Sequence, residues 1–159
     1  MTSKRKMIAK SWIWKSSVAG AVGSGAHFAL MYLKSRTGLL PSFQPYQSFQ
    51  AALAHWTGTN VPAIVPWALS FLNGTTLLGF LFAGIHRLLP GESGAAKGAT
   101  FGLVGWVFMG LIFFPAIGLG PFAIDVGSGL GPALLSLVML LAYGIALGTV
   151  YGLLAGRRQ

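Results

Sequence analysis

"ALLSLVMLLAYGIALGTVYGLLA", residues 133–155, holds no charged side chain from end to end. An α-helix rises 1.5 Å per residue, so about 20 apolar residues cross a hydrocarbon layer of roughly 30 Å. A helix on the surface of a water-soluble domain would carry a polar face, and this stretch has none. It reads as a transmembrane helix. Gly144, Gly148, Gly152 and, just past the stretch, Gly156 recur every fourth residue and share one face. Missing side chains at that spacing let a second backbone come close, and dispersion contacts then hold helices together where lipid supplies no hydrophobic drive.

Three further segments are long and apolar enough to span: residues 12–33, 67–89 and 98–119. The first is the weakest, being rich in glycine, alanine and serine. The predicted fold is therefore all-α: a polytopic membrane protein with four transmembrane helices in a compact bundle. A basic cytoplasmic tail (1–11) and a short cytoplasmic tail (157–159) flank the membrane domain (12–156), and residues 34–66 form the one long outer loop. Composition agrees. The 159 residues are 54% hydrophobic and 8% charged, against about 25% charged in an ordinary soluble domain. The net charge of +9 does not indicate nucleic-acid binding, because the basic residues sit at the ends of apolar runs rather than on one face. There is no cysteine, which excludes disulfides, thiolate metal sites and cysteine nucleophiles. The basic start lacks a compact apolar core with a cleavage site and reads as a retained first span.

Lysine and arginine set the orientation. With both termini cytoplasmic, Lys4, Arg5, Lys6, Lys10, Lys15, Arg87, Lys97, Arg157 and Arg158 lie inside, against Lys34 and Arg36 outside. Trp12, Trp14 and Trp67 mark span ends. In the outer loop, "PYQSFQAALAHW" (45–56) aligns Tyr46, Phe49, Leu53 and Trp56 on one helical face. This predicts a short helix in the outer interface, or one packed on the span ends; Pro62 and Pro66 close the loop. The link "GLGPFAIDVGSGLGP" (118–132) is apolar and glycine-rich for a water-facing turn, which suggests a re-entrant or tightly folded segment pressed on the bundle.

Each span carries a strip of small residues. The third has Gly94, Gly98 and Gly102, with Trp106 and Gly110 in line; the second has Thr75, Gly79 and Ala83. The first has Ser16, Gly20 and Ser24, with a second strip, Ser17, Ala21, Gly25 and Ala29, beside it. These strips are the predicted helix-packing interfaces. A weak internal repeat aligns "LGFLFAGIHRLL" (78–89) with "YGIALGTVYGLL" (143–154), placing Gly79 on Gly144 and Ala83 on Gly148. Gly20 and Gly102 correspond in the other half.

Polar groups in or near the membrane are few. His27 sits toward the outer end of span one with Met31 one turn on, a pair that with His55 is the only candidate metal set; two ligands one turn apart are too few. A neutral imidazole bonded to a neighbouring span is the favoured role for His27. Asp125 is the one outer acid, placed where turns are capped. His86 and Arg87 fall at the inner end of span two, where snorkelling accounts for them. His27 and His86 lie near opposite surfaces, so no bis-histidine haem forms. No catalytic residue set and no cofactor is predicted.

"GAHFALMYLK", "LLPGESGAAKGATFGLVGW", "FFPAIGLGPFA" and "LLAYGIALGTVYGLL" together give residues 16–156 the look of a known family. The chain resembles a family of small bacterial four-span inner-membrane proteins with no assigned activity. That resemblance implies the fold and the bacterial inner membrane, and brings no active residue. The function expected is non-enzymatic: an accessory or stabilising subunit docked on a larger membrane complex of the electron-transport type, with lipid and other integral subunits or itself as partners. The competing expectations are a small-solute or lipid transporter built from two similar hairpins, and outer-face metal handling through His27, Met31 and His55.

Overall fold

A computed structural model of the chain describes residues 2–156, with side chains from residue 11 onward. The side chains of Lys4, Arg5, Lys6 and Lys10, and all of Arg157 and Arg158, lie outside the described residues, so part of the orientation count does too. Five helices carry the fold: α1 (Thr2–Thr37), α2 (Pro45–Thr57), α3 (Ile64–Ile85), α4 (Gly94–Ala116) and α5 (Gly131–Gly156). No strand occurs among the described residues.

Three of these helices, α3, α4 and α5, are long and apolar enough to cross a membrane, where the sequence predicts four. The exception is α1. It has the length, but Lys15, three serines and His27 dilute its apolar stretch. Its backbone is helical from Thr2, so the predicted tail continues the same helix.

Helix boundaries differ from the predicted spans for local reasons. Helix α3 begins at Ile64, not Trp67, because Pro66 falls in the first turn, where a missing N–H breaks no bond. It ends at Ile85, short of the predicted Leu89. Helix α4 begins at Gly94 because the Ser93 hydroxyl caps it, accepting from the Ala96 N–H at 3.1 Å. Inside these two helices run π-turns, Gly74–Leu78 in α3 and Met109–Phe113 in α4. Helix α2 ends at Gly58, whose φ of 66° is the left-handed cap that a side chain would resist.

Helix α5 is central, flanked by α4 on one side and α1 on the other, and α3 packs on α1. The glycine strips explain the closeness. A Cβ at Gly98 would overlap the Gly144 carbonyl, and one at Gly144 would overlap the Gly98 carbonyl. Gly94 and Gly148 exclude each other in the same way, and Gly102 lies on the Leu140 carbonyl. These contacts fix an antiparallel register. On the other side of the bundle Gly20 meets the Gly74 and Thr75 backbone, and Gly79 meets the Ser16 carbonyl. Gly152 touches Gly94 at ordinary distance, while a Cβ at Gly156 would meet nothing within 4 Å, so Gly156 falls outside the predicted seam. Phe82, Ala83, Phe101, Tyr143, Leu147, Tyr151 and Ala19 fill the bundle's core.

A second core caps the end of the bundle opposite the chain termini. Phe43, Phe114, Ile117, Leu119 and Ala123 are buried together there, with the Phe43 and Phe114 rings edge-to-face at 5.7 Å. The predicted pressed-down link is present. Its Phe122 ring covers Gly110, six residues before the end of α4 and about 9 Å down that helix. The turn that achieves this holds Phe122 and Ala123 at φ 52° and 60°, a left-handed conformation uncommon for residues other than glycine.

Candidate functional site

Polar groups gather at two places: the middle of the bundle and the loop end. In the middle, the π-turn of α3 widens the helix and leaves its carbonyls out of the usual i→i−4 register. Tyr143 of α5 donates its hydroxyl to the Gly74 carbonyl at 2.7 Å, fully inside the protein. Ser24 of α1 presses on Gly74, and Ser16 is buried one strip-length below it. The Thr75 hydroxyl is buried with no partner among the described residues. Three helices thus meet at one hydroxyl cluster. Tyr143→Phe is expected to lower unfolding stability by about 0.6 to 2 kcal/mol, the range of interhelical hydrogen bonds in membranes, read from thermal or denaturant unfolding in detergent.

His27 is half-buried, and its ring faces the Met139 backbone of α5. The two helices come together there, which is where the sequence predicts a bond between spans. Met31 is buried, and His55 is exposed on α2. Among the described residues no three His, Asp or Glu side chains come together as a metal site. His86 departs from the snorkelling expectation. It is half-buried, with its ring edge-on to Tyr151 at 4.9 Å, and it joins the core aromatics; Arg87 alone is exposed.

At the loop end, α2 packs on the start of α3. Tyr46 stacks on Trp67 at 4.0 Å and shares a hydrogen bond of 3.0 Å with Ser70, while Phe49 meets Phe113 edge-on. Burial pushes the Tyr46 hydroxyl up to about 12, so it stays neutral near pH 7. Trp56, on the same predicted face, is exposed. Gln50 ties the helix to the Val61 carbonyl at 2.7 Å.

Lys34 is the residue that sequence reasoning missed. Counted as an exposed outer charge, it is only 4% exposed. Its ammonium donates to the Phe43 carbonyl at 2.5 Å and lies 5.8 Å from the Phe43 ring centre. Burial lowers its pKa below the ordinary lysine value. The signal available was the apolar "GLLPSF" that follows it, which a solvated loop would not need. Asp125 is exposed, its carboxylate over Gly120, while its backbone N–H donates to the Leu119 carbonyl at 3.2 Å.

Beside the link lies a half-open cavity of about 490 Å³ walled by Trp106, Phe122, Ile124, Leu130 and Ala133. The Trp106 indole N–H turns out of it to the Ala133 carbonyl (3.0 Å) and Ser136 hydroxyl (3.2 Å), leaving carbon surfaces inside. The cavity offers no charged or hydrogen-bonding side chain for chemistry.

The repeat read in the sequence has a geometric counterpart. Shifting α1 by 82 residues and α3 by 65 carries the Ser16–Gly79 contact onto Gly98–Gly144, and the Gly20–Thr75 contact onto Gly102–Leu140; all four are close backbone approaches. The two hairpins pack alike.

These features define an all-helical protein with three helices suited by length and composition to cross a membrane, joined by glycine seams. Residues 11–159 match the model of a family of unknown function, DUF6789, and the chain belongs to that family. No curated protein and no solved structure matches it.

Proposed function

We propose that the protein is a non-catalytic integral subunit of the bacterial inner membrane, with both termini cytoplasmic, that docks on a larger membrane complex and stabilises it. In this reading α1 is the fourth span. The serines that dilute it, Ser16 and Ser24, turn into the bundle, while Val18, Val22, Tyr32 and Leu33 face out as a lipid-facing side requires. The observation that carries the docking role is the division of α1's two strips. Ser16, Gly20 and Ser24 are occupied by α3, whereas Gly25 and Ala29 are exposed and a Cβ at Gly25 would touch nothing. A groove of small residues left open on a spanning helix fits another helix.

Gly25→Leu fills that groove. Wild-type protein extracted from native membranes in mild detergent is expected to bring other integral subunits with it, and Gly25→Leu to lose them while keeping its own fold. A wild-type preparation that is a monodisperse particle without other subunits contradicts the docking reading.

The hairpin repeat and the hydroxyl cluster at a π-turn favour a second reading, a small-solute or lipid transporter. Interrupted helices and repeated hairpins meeting at mid-membrane are how many transporters form their sites. Equal flux of candidate solutes in protein-containing and empty liposomes removes it.

A further inference from the structure

Asn73 stands near the middle of α3, ten residues into a helix of 22. Its neighbours Phe71, Leu72 and Leu77 are exposed apolar residues, and Asn73 is exposed among them. Thr76 beside it gives its hydroxyl to the Leu72 carbonyl at 2.7 Å. The Asn73 carboxamide makes no such bond to its helix, although it stands at the very start of the π-turn. A carboxamide has two donors and an acceptor. In hydrocarbon no solvent satisfies them, so a partner must.

We infer that this face of α3 pairs two copies of the chain, with Asn73 of one protomer hydrogen-bonded to Asn73 of the other across a two-fold axis along the membrane normal. This rests on the membrane placement proposed above and is independent of docking through α1. Self-complementarity and equal depth choose a second copy over a different helix, and the exposed surface gives it room. A carboxamide is self-complementary, so two of them close a donor–acceptor pair without any other group. Copies inserted with the same orientation hold Asn73 at the same depth. The exposed face also continues in both directions as an interface needs, through Leu69 above, Leu77 and Leu81 below, and then Gly84, where a Cβ would meet nothing within 4 Å. Leucines around one buried asparagine give packing together with a fixed register.

The absence of cysteine makes the test direct. Leu77→Cys protein, purified and reconstituted in phosphatidylcholine vesicles at low protein density, is treated with an oxidant. It is expected to give a disulfide-linked dimer at least tenfold more abundant than Val138→Cys, an exposed position on α5 that reports random collision. Adding Asn73→Leu should return crosslinking to the Val138→Cys level, and Asn73→Gln should restore it. All these side chains lie outside the core, so folding is retained, and helix content by circular dichroism checks it. Crosslinking of Leu77→Cys no greater than that of Val138→Cys overturns the proposal, as does crosslinking indifferent to Asn73→Leu. Asn73-dependent capture of some other protein from native membranes, without self-crosslinking in vesicles, also overturns it.

Discussion

Gly98→Val is expected to push α4 away from α5 and strongly destabilise the folded protein in mild detergent. Even the first carbon of a side chain at this position overlaps the Gly144 carbonyl, and the neighbouring backbone of Gly148 is close as well. No rotamer change relieves an overlap between a Cβ and a main-chain oxygen, so a whole helix must move. Overpacking a core in general costs about 1 to 3 kcal/mol; here the loss should reach the top of that range or pass it, because the reciprocal contacts at Gly94, Gly102 and Gly148 depend on the same interaxial distance. The measurement is the unfolding midpoint together with the elution profile in detergent. Gly25→Leu is the matched control: nothing lies within 4 Å of its added carbon, and the isolated protein should change by no more than about 0.5 kcal/mol. Equal effects at the two positions would mean the seam is not where the bundle is held.

Phe43→Ala is expected to have a comparable effect confined to one end. Phe43 is buried against Phe114 in the cap, and its own carbonyl receives the Lys34 ammonium. Truncating a buried phenylalanine costs about 3 to 5 kcal/mol. The cap is a core separate from that of the bundle, so the loss should appear there first. In sealed vesicles, added protease should cut within residues 38–44 and 117–130 of the variant at least tenfold faster than in wild type. The spanning helices should survive. Global unfolding of Phe43→Ala instead would show that cap and bundle form one cooperative unit.

The parts of the fold legible in the sequence are those whose signal is local. An uncharged run with glycine every fourth residue is enough to find α5, but which strip it packs on is visible only in the structure, where α4 takes it. Gly98, Gly102, Gly144 and Gly148 lie together between α4 and α5, because a missing side chain lets two backbones approach in any membrane helix. Helix α1 was harder to read. Its hydropathy is lowered by serines that turn inward, and which way a serine turns is set by a neighbour. The π-turns carry no residue signature at all. Lys34 illustrates the same difficulty: its charge reads as a solvated topology marker until the chain folds Phe43 back over it. Asn73 is polar without being ionisable, so it stands out in the sequence far less than a charged residue in a span does.

Side-specific labelling of single cysteines tests the membrane arrangement, and α1 as a crossing helix, most directly. An N-terminal tag, Thr59→Cys in the long loop and Glu92→Cys in the link between α3 and α4 are probed with a membrane-impermeant reagent on sealed vesicles of known orientation. The tag and Glu92→Cys should be reached from the cytoplasmic side alone, and Thr59→Cys from the opposite side alone. Labelling of Thr59→Cys from the same side as the tag would mean that α1 does not cross, and the four-helix arrangement would fail with it.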